Sequence, residues 1–229
     1  MLTLAIETSG RAGSVALADS SGVVTERFLE LGGRHAQSLP PAVGQLLTDS
    51  SHAARDLELV AVSIGPGSYT GLRVGVVCAK TLAFAVGCPL AAVDTLQAIA
   101  CNSPPDISAV EVISDAQRGD LFVGRFVRTT TGVWEPAREI EVVPSAAWAA
   151  SLHAAVTVSG PGLDKFASLA EGRARLLDSN CRVPVASWIA RLGLAALRAG
   201  KIADLATLEP LYLRRSSAEV QWEKLHPGK

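Results

Sequence analysis

The chain of 229 residues carries 21 Lys and Arg against 22 Asp and Glu, a formal net charge of −1. With 48% hydrophobic and 19% charged residues, it is excluded from the disordered class and can bury a sizeable core. The balanced charge disfavours direct, autonomous nucleic-acid binding, which needs a basic face. Cys78, Cys88, Cys101 and Cys181 form no C-x-x-C pair, so free thiols in a reducing compartment are expected. His35, His52, His153 and His226 are scattered, and no local metal site is expected from them. The start, Met1 to Glu7, has neither a basic region nor a cleavage signal, and the apolar run Val74 to Val93 is interrupted by Lys80, Gly87 and Pro89. A cytoplasmic protein without a membrane span is the expectation.

In chain order, Leu2 to Thr8, Gly13 to Asp19 and Val23 to Leu29 read as three strands, and their tight connections predict an antiparallel meander. A helix follows around Leu39 to Leu47, with Pro40 and Pro41 expected in its first turn because proline lacks an amide hydrogen. Leu59 to Ile64 is a short, apolar, β-branched run and therefore a buried strand. Gly71 to Val86 reads as a long helix, Pro89 to Val93 as a strand and Thr95 to Cys101 as a helix. Asn102-Ser103-Pro104-Pro105 is the best linker in the chain.

After that linker the pattern restarts, with strands at Val110 to Ser114 and Leu121 to Val127 around a turn at Asp115 to Asp120. Both Ile6-Glu7-Thr8-Ser9-Gly10-Arg11 and Ile113-Ser114-Asp115-Ala116-Gln117-Arg118 end a strand in a carboxylate and a polar turn before an alternating strand. A duplicated meander-plus-helices unit is therefore predicted, giving two α/β lobes. Ala146 to Leu152 and Ser187 to Ala199 read as helices, the latter stopped by Gly200, and Ser216 to Lys229 as a polar tail. The first lobe is expected over residues 1–103, completed by 208–229, and the second over 106–207.

Two stretches are candidates for chemistry. Gly65-Pro66-Gly67-Ser68-Tyr69-Thr70-Gly71 leaves a buried strand and opens a helix, where loop amides can bind an anion. It is neither a Walker A loop nor G-x-G-x-x-G, since Thr70 stands where the third glycine belongs. The glycines equally suit a tight turn that binds nothing, with Ser68 and Thr70 as helix caps. Glu7-Thr8-Ser9 at a strand end suits a metal–phosphate site, or else a plain polar turn, and Asp115 is its counterpart in the second half. No serine nucleophile is supported, because G-x-S-x-G is absent.

The opening L-A-I-E-T-S, the G-P-G-S-Y-T-G-L-R-V-G-V loop and P-L-Y-L-R at Pro210 to Arg214 together resemble the bacterial TsaB (YeaZ) family. The resemblance covers nearly the whole chain and thins between Thr129 and Pro184. It implies a two-lobed actin-like ATPase (ASKHA, RNase H-like) α/β fold, each lobe a mixed sheet with flanking helices. The implied role is formation of N6-threonylcarbamoyladenosine in tRNAs that read codons starting with A. The family supports its catalytic paralogue TsaD, which carries V-N-H-x-x-x-H metal ligands, with the ATPase TsaE as third partner. The matching stretch here is Val93-Asp94-Thr95-Leu96-Gln97-Ala98-Ile99, which puts Thr95 and Ile99 on the ligand positions. Threonine is a poor metal ligand and isoleucine is none.

No catalytic residue, metal or tightly bound cofactor is therefore expected. Weak ATP or ADP binding is left open, within this chain or at the partner interface, with Glu7, Thr8, Ser9, Gly65, Gly67, Ser68, Thr70, Gly71 and Asp115 as the candidate residues. The retained carboxylates also fit an alternative, a stand-alone actin-like ATPase or phosphotransferase; a glycoprotease-like metallopeptidase is disfavoured by Thr95 and Ile99.

At 100° per residue, Arg73 and Lys80 fall within about 20° of each other on the long helix. Thr81 is the only other polar side chain from Leu72 to Val86, so the apolar arc is far wider than one sheet contact needs. Its second face is covered by this chain's own helix or tail, or by a partner. The resemblance favours a partner, TsaD or a second copy when the chain is alone, with Leu72, Val74, Val76, Val77, Cys78 and Leu82 as interface candidates. Which side faces inward is left open, and tRNA is met only through the complex.

Overall fold

Leu4, Ala5 and Ile6 alternate large and small along the first strand, and this alternation recurs in its neighbours. The computed structural model describes residues 1–19, 21–29, 35–214 and 222. The first sheet holds β1 (Thr3–Glu7), β2 (Ser14–Asp19), β3 (Gly22–Phe28), β4 (Leu59–Gly65) and β5 (Leu90–Asp94), in the order β3-β2-β1-β4-β5. β1 to β3 form the predicted antiparallel meander, while β4 and β5 run parallel to β1. In register, Ala16, Ala5, Ala61 and Ala91 form one row across β2, β1, β4 and β5. The opposite face carries Leu4, Ile6, Val15, Leu17, Val60 and Val62.

Helices α1 (His35–Asp49) and α2 (Tyr69–Val86) cover the large-residue face. Pro40 and Pro41 lie in the second turn of α1, not in the first. The carbonyls that lose a donor belong to Ala36 and Gln37, which are exposed, so water can take their place. The Ser68 hydroxyl caps α2 by accepting from the Gly71 amide, and Gly87, at φ 77°, ends it. Length and composition alone would let α2 cross a membrane. Here one face, Gly71, Leu72, Gly75, Val76, Ala79 and Ala83, is buried against the sheet. A short α3 (Thr95–Ala100) then leads from β5 into the second half.

The second sheet holds β6 (Ala109–Asp115), β7 (Asp120–Arg128), β8 (Trp134–Pro136), β9 (Glu141–Pro144), β10 (Thr157–Ser159) and β11 (Arg175–Leu176). Its order is β11-β10-β6-β7-β8, with β9 also on β7. β6 and β7 are antiparallel, and β10 and β11 run parallel to β6, which repeats the first sheet's pattern. The duplication extends further than the turn that suggested it. Gly65-Pro66-Gly67 starts on the last residue of β4, Gly160-Pro161-Gly162 follows β10, and Gly65 and Gly160 share positive φ angles of 114° and 104°. α4 (Ser145–Ser151) and α5 (Leu163–Ala170) flank this sheet. β8 to β11 and α5 escape the sequence reading because runs of two to four strand residues carry little periodicity. The result is two α/β lobes, each a mixed sheet with flanking helices.

The expected second lobe, 106–207, includes α6 (Ala186–Arg198), but this helix packs on β1, β2, β4 and β5 of the first sheet. Its first amides are held there: Ala186 N donates to Ser14 Oγ (2.8 Å) and Ser187 N to Glu26 Oε1 (3.0 Å). The alanine row is what seats it, with Ile189 and Ala190 packed against the small residues. Beyond α6 the chain returns along the first lobe, where Ala203 N donates to Leu90 O and Leu211 N to Ile64 O. The polar tail predicted from Ser216 onward lies outside the described residues apart from Trp222.

Close approach predicts opposite signs for two glycine substitutions. A Cβ on Gly193 would stand 2.4 Å from the Ala61 Cβ, whereas one on Gly44 in α1 meets nothing within 4 Å. Gly-to-Ala in a helix interior normally gains up to ~1 kcal/mol. Gly44→Ala should show that gain. Gly193→Ala should instead lose roughly 1–3 kcal/mol by overpacking, and urea denaturation of both variants measures the difference.

Candidate functional site

Where β1 ends, Glu7, Thr8 and Ser9 are all buried, and the loop after β4 folds directly onto them. Ser68 N donates to Ser9 O (2.7 Å), and the Thr8 hydroxyl donates to Gly71 O (2.8 Å). Gly71 N donates to Ser68 Oγ (3.2 Å) and Gly65 N to Thr95 Oγ1 (3.1 Å). The glycines follow from this contact. An added Cβ would meet Ser9 O at 2.6 Å from Gly67, Thr8 O at 2.1 Å from Gly71 and Thr8 Oγ1 at 2.2 Å from Gly75. Of the two readings of the loop, the tight turn is thus directly served by the contacts. Three of its amides, those of Gly65, Ser68 and Gly71, are spent on the chain's own oxygens. Ser68 and Thr70 are exposed at the helix start.

Glu7 Oε1 accepts from the Ser9 amide and hydroxyl, both at 2.5 Å, while Oε2 has no partner. Burial raises the carboxyl's pKa, against the Ser9 hydrogen bonds that lower it. His35 bonds Gly10 O through Nε2 (3.0 Å), and its Nδ1 is buried without a partner. Asp115 takes a different course from its counterpart. It is half-buried, accepts from Gln117 N (2.8 Å) and pairs with Lys165 (3.0 Å), all within the second lobe. The structure thus brings Glu7, Thr8 and Ser9 together with Gly67, Ser68 and Gly71, and gives Asp115 its own partners.

Thr95 and Ile99 have structural duties. The Thr95 hydroxyl holds the Gly65 amide, and Ile99 is fully buried in the cluster that continues into the second lobe. Among the described residues no group of three or more His, Cys, Asp or Glu side chains could hold a metal ion.

The two sides of α2 differ sharply. Leu72 (2% exposed) and Val76 (3%), expected at a partner interface, are core residues. They share the sheet-facing stripe with Ala79 and Ala83, so the correction is one of helix phase. Val74, Cys78 and Leu82 are half-buried at its margins. Val77 is 62% exposed and Phe84 80%. Phe84, which is not among the interface candidates, follows Val77 by seven residues, the spacing that joins Arg73 to Lys80, and so shares its side of the helix. The returning C-terminal segment takes the polar flank. Lys80 Nζ donates to Leu208 O (3.0 Å), Arg73 Nε donates to Tyr212 Oη (3.0 Å), and the Arg73 guanidinium lies 4.6 Å from the Tyr69 ring centre. A cavity of about 430 Å³ remains between α2 and this segment.

Asp94, the N-cap of α3, yields a pH test. Its carboxylate accepts from Leu96 N (2.7 Å) and Gln97 N (3.3 Å), and burial pushes its pKa from 3.8 up to about 6. The folded carboxyl then holds its proton more tightly than the unfolded one. Its contribution is therefore full below pH 3.8 and is lost as pH rises to about 6. Asp94→Asn still caps the helix, so its Tm should gain on the parent's across this window and run parallel above it. Thermal melts through the window check this, and a constant difference contradicts it.

The sequence model for "TsaD: tRNA N6-adenosine threonylcarbamoyltransferase" matches residues 22–139. The tRNA threonylcarbamoyladenosine biosynthesis protein TsaB of Bacillus subtilis (strain 168) is 32% identical, covering 97% of this chain and 98% of that protein. The protein of the same description from Escherichia coli (strain K12) is 31% identical over the full length of both. Among solved structures, YeaZ from Pseudomonas aeruginosa superposes with a TM-score of 0.81 at 27% identity, covering 93% of this chain and 99% of that one. Such full-length likeness, in sequence and in fold together, means that the chain belongs to the TsaB (YeaZ) family of tRNA threonylcarbamoyladenosine biosynthesis proteins.

Proposed function

We propose that this chain is the non-catalytic subunit that binds and activates the paralogous TsaD enzyme in forming N6-threonylcarbamoyladenosine in tRNA. The observation that carries the reading is the exposure of Phe84 (80%) and Val77 (62%) on a helix whose opposite face is core. Large apolar side chains aligned on one helix face suit a helix–helix interface. The same face pairs two copies of this chain when TsaD is absent. Thr95 and Ile99, with their structural duties at the positions of the paralogue's metal ligands, support a subunit without its own metal chemistry. TsaE joins as the third component, and tRNA is met through the assembled complex. ATP or ADP binds weakly in that complex and no cofactor is held tightly.

Two Asp substitutions separate the faces of α2. Leu72→Asp places an unpaired carboxylate in the core and should cost several kcal/mol, a large share of the ~5–15 kcal/mol of a typical fold. Phe84→Asp should leave circular dichroism and Tm near the parent's, abolish association in sedimentation, and reduce tRNA modification at least ~10-fold when TsaD and TsaE are supplied. Retained association and activity in Phe84→Asp would overturn the interface. ATP hydrolysis by the chain alone at ~1 per second or faster, an ordinary enzyme rate, would instead favour the stand-alone ATPase.

A further inference from the structure

A second cavity, of about 320 Å³, lies where α6 meets the end of the second sheet. It is lined by Trp134 and Trp188, by Arg128 at the end of β7 and Arg191 on α6, and by Cys101 and Ser103 after α3. β7 carries Arg128 at one end and Leu121, the partner of Asp115, near the other, so this cavity and Asp115 occupy opposite ends of the sheet. The Arg128 guanidinium lies 4.8 Å from the Trp134 ring centre, and Arg191 lies 4.8 Å from that of Trp188. No carboxylate lines the cavity, and among the described residues neither arginine has an ion-pair partner.

Two donors here lack a partner. Arg128 uses Nη2 to hold the carbonyls of Ser103 (2.8 Å) and Pro104 (2.9 Å), which fixes the guanidinium, but its Nε is buried and unpaired. The Ser103 hydroxyl is likewise buried and unpaired. Buried donors without acceptors are costly and call for a group that supplies them. Cys101 does not supply it as a thiolate, because burial pushes its pKa up to about 12 despite both arginines. Fixed donors and unneutralised cations select an acceptor-rich anion, and the half-buried Trp188 selects a flat, apolar body. The volume suits a small molecule, at the lower end of the ~300–1,000 Å³ usual for ligand sites.

We infer that this cavity binds a small organic anion, a carboxylate or phosphate carried on a flat apolar body, with its charge between Arg128 and Arg191 and its body against Trp188. The site is separate from the strand-end carboxylates and from the exposed face of α2. Calorimetry and tryptophan fluorescence on the full chain test it with benzoate, phenyl phosphate, benzamide and inorganic phosphate at constant ionic strength.

Saturable one-to-one binding of benzoate or phenyl phosphate is expected, with a fluorescence change. Whichever of the two binds tells a carboxylate site from a phosphate site. Arg191→Ala, at an exposed position, should weaken it ~10-fold, equivalent to 1.4 kcal/mol. Ser103→Ala keeps the carbonyl that Arg128 holds, removes only the hydroxyl and should also weaken binding. The inference is overturned if neither aryl anion saturates, if benzamide or inorganic phosphate binds as tightly, or if both folded variants bind like the parent.

Discussion

Ala16, Ala5, Ala61 and Ala91 stand side by side across four strands, and α6 lies on them with Gly193 against Ala61. Interiors are packed nearly as densely as crystals, so a helix this close needs small residues on both sides. How the lobes meet depends on that seat. Ser14 and Glu26 hold the start of α6, while its Trp188 and Leu192 also pack against the second lobe's cluster around Leu96, Ile99 and Phe126. A helix rooted in one sheet thereby becomes a wall of the other lobe, and the arginine–tryptophan cavity opens along that seam.

With α6 on the alanine face, the large-residue face is left for α1 and α2. Close packing also governs the start of α2, where Gly67, Gly71 and Gly75 leave room for Thr8 and Ser9. Once α2 is pressed down at its N-terminus, Leu72, Val76, Ala79 and Ala83 must face the sheet, and the helical period turns Val77 and Phe84 outward. The exposed apolar face is thus a consequence of the glycine contacts. The second lobe repeats the topology without this outcome, because α5 after its own Gly-Pro-Gly has only eight residues.

Two buried acids show how differently the lobes treat charge. Glu111 is 4% exposed, yet it pairs with Arg125 and accepts from the Trp148 indole, which ties α4 to β6 and β7. Glu7 is fully buried with one oxygen unpaired, and its pKa is raised by that burial. A paired buried carboxylate balances its desolvation by charge and hydrogen bonds, whereas a half-satisfied one does not. Glu7 is therefore a buried carboxylate held on one oxygen by Ser9, not the carboxylate of a plain polar turn at the surface.

Much of the first lobe was readable because its signals are local. Tight connections marked the meander of β1 to β3, an apolar β-branched run marked β4, and the turns around Arg11 and Arg118 revealed the duplication. The second Gly-Pro-Gly, at Gly160 to Gly162, was equally present in the sequence and would have strengthened that case. Tertiary structure alone decided that α6 belongs on the first sheet, that Leu72 and Val76 are core while Phe84 is exposed, and that the loop amides of Gly65, Ser68 and Gly71 are already spent. Periodicity fixes which residues share a face; what covers that face is set by residues far along the chain, brought there only when close packing is satisfied everywhere at once.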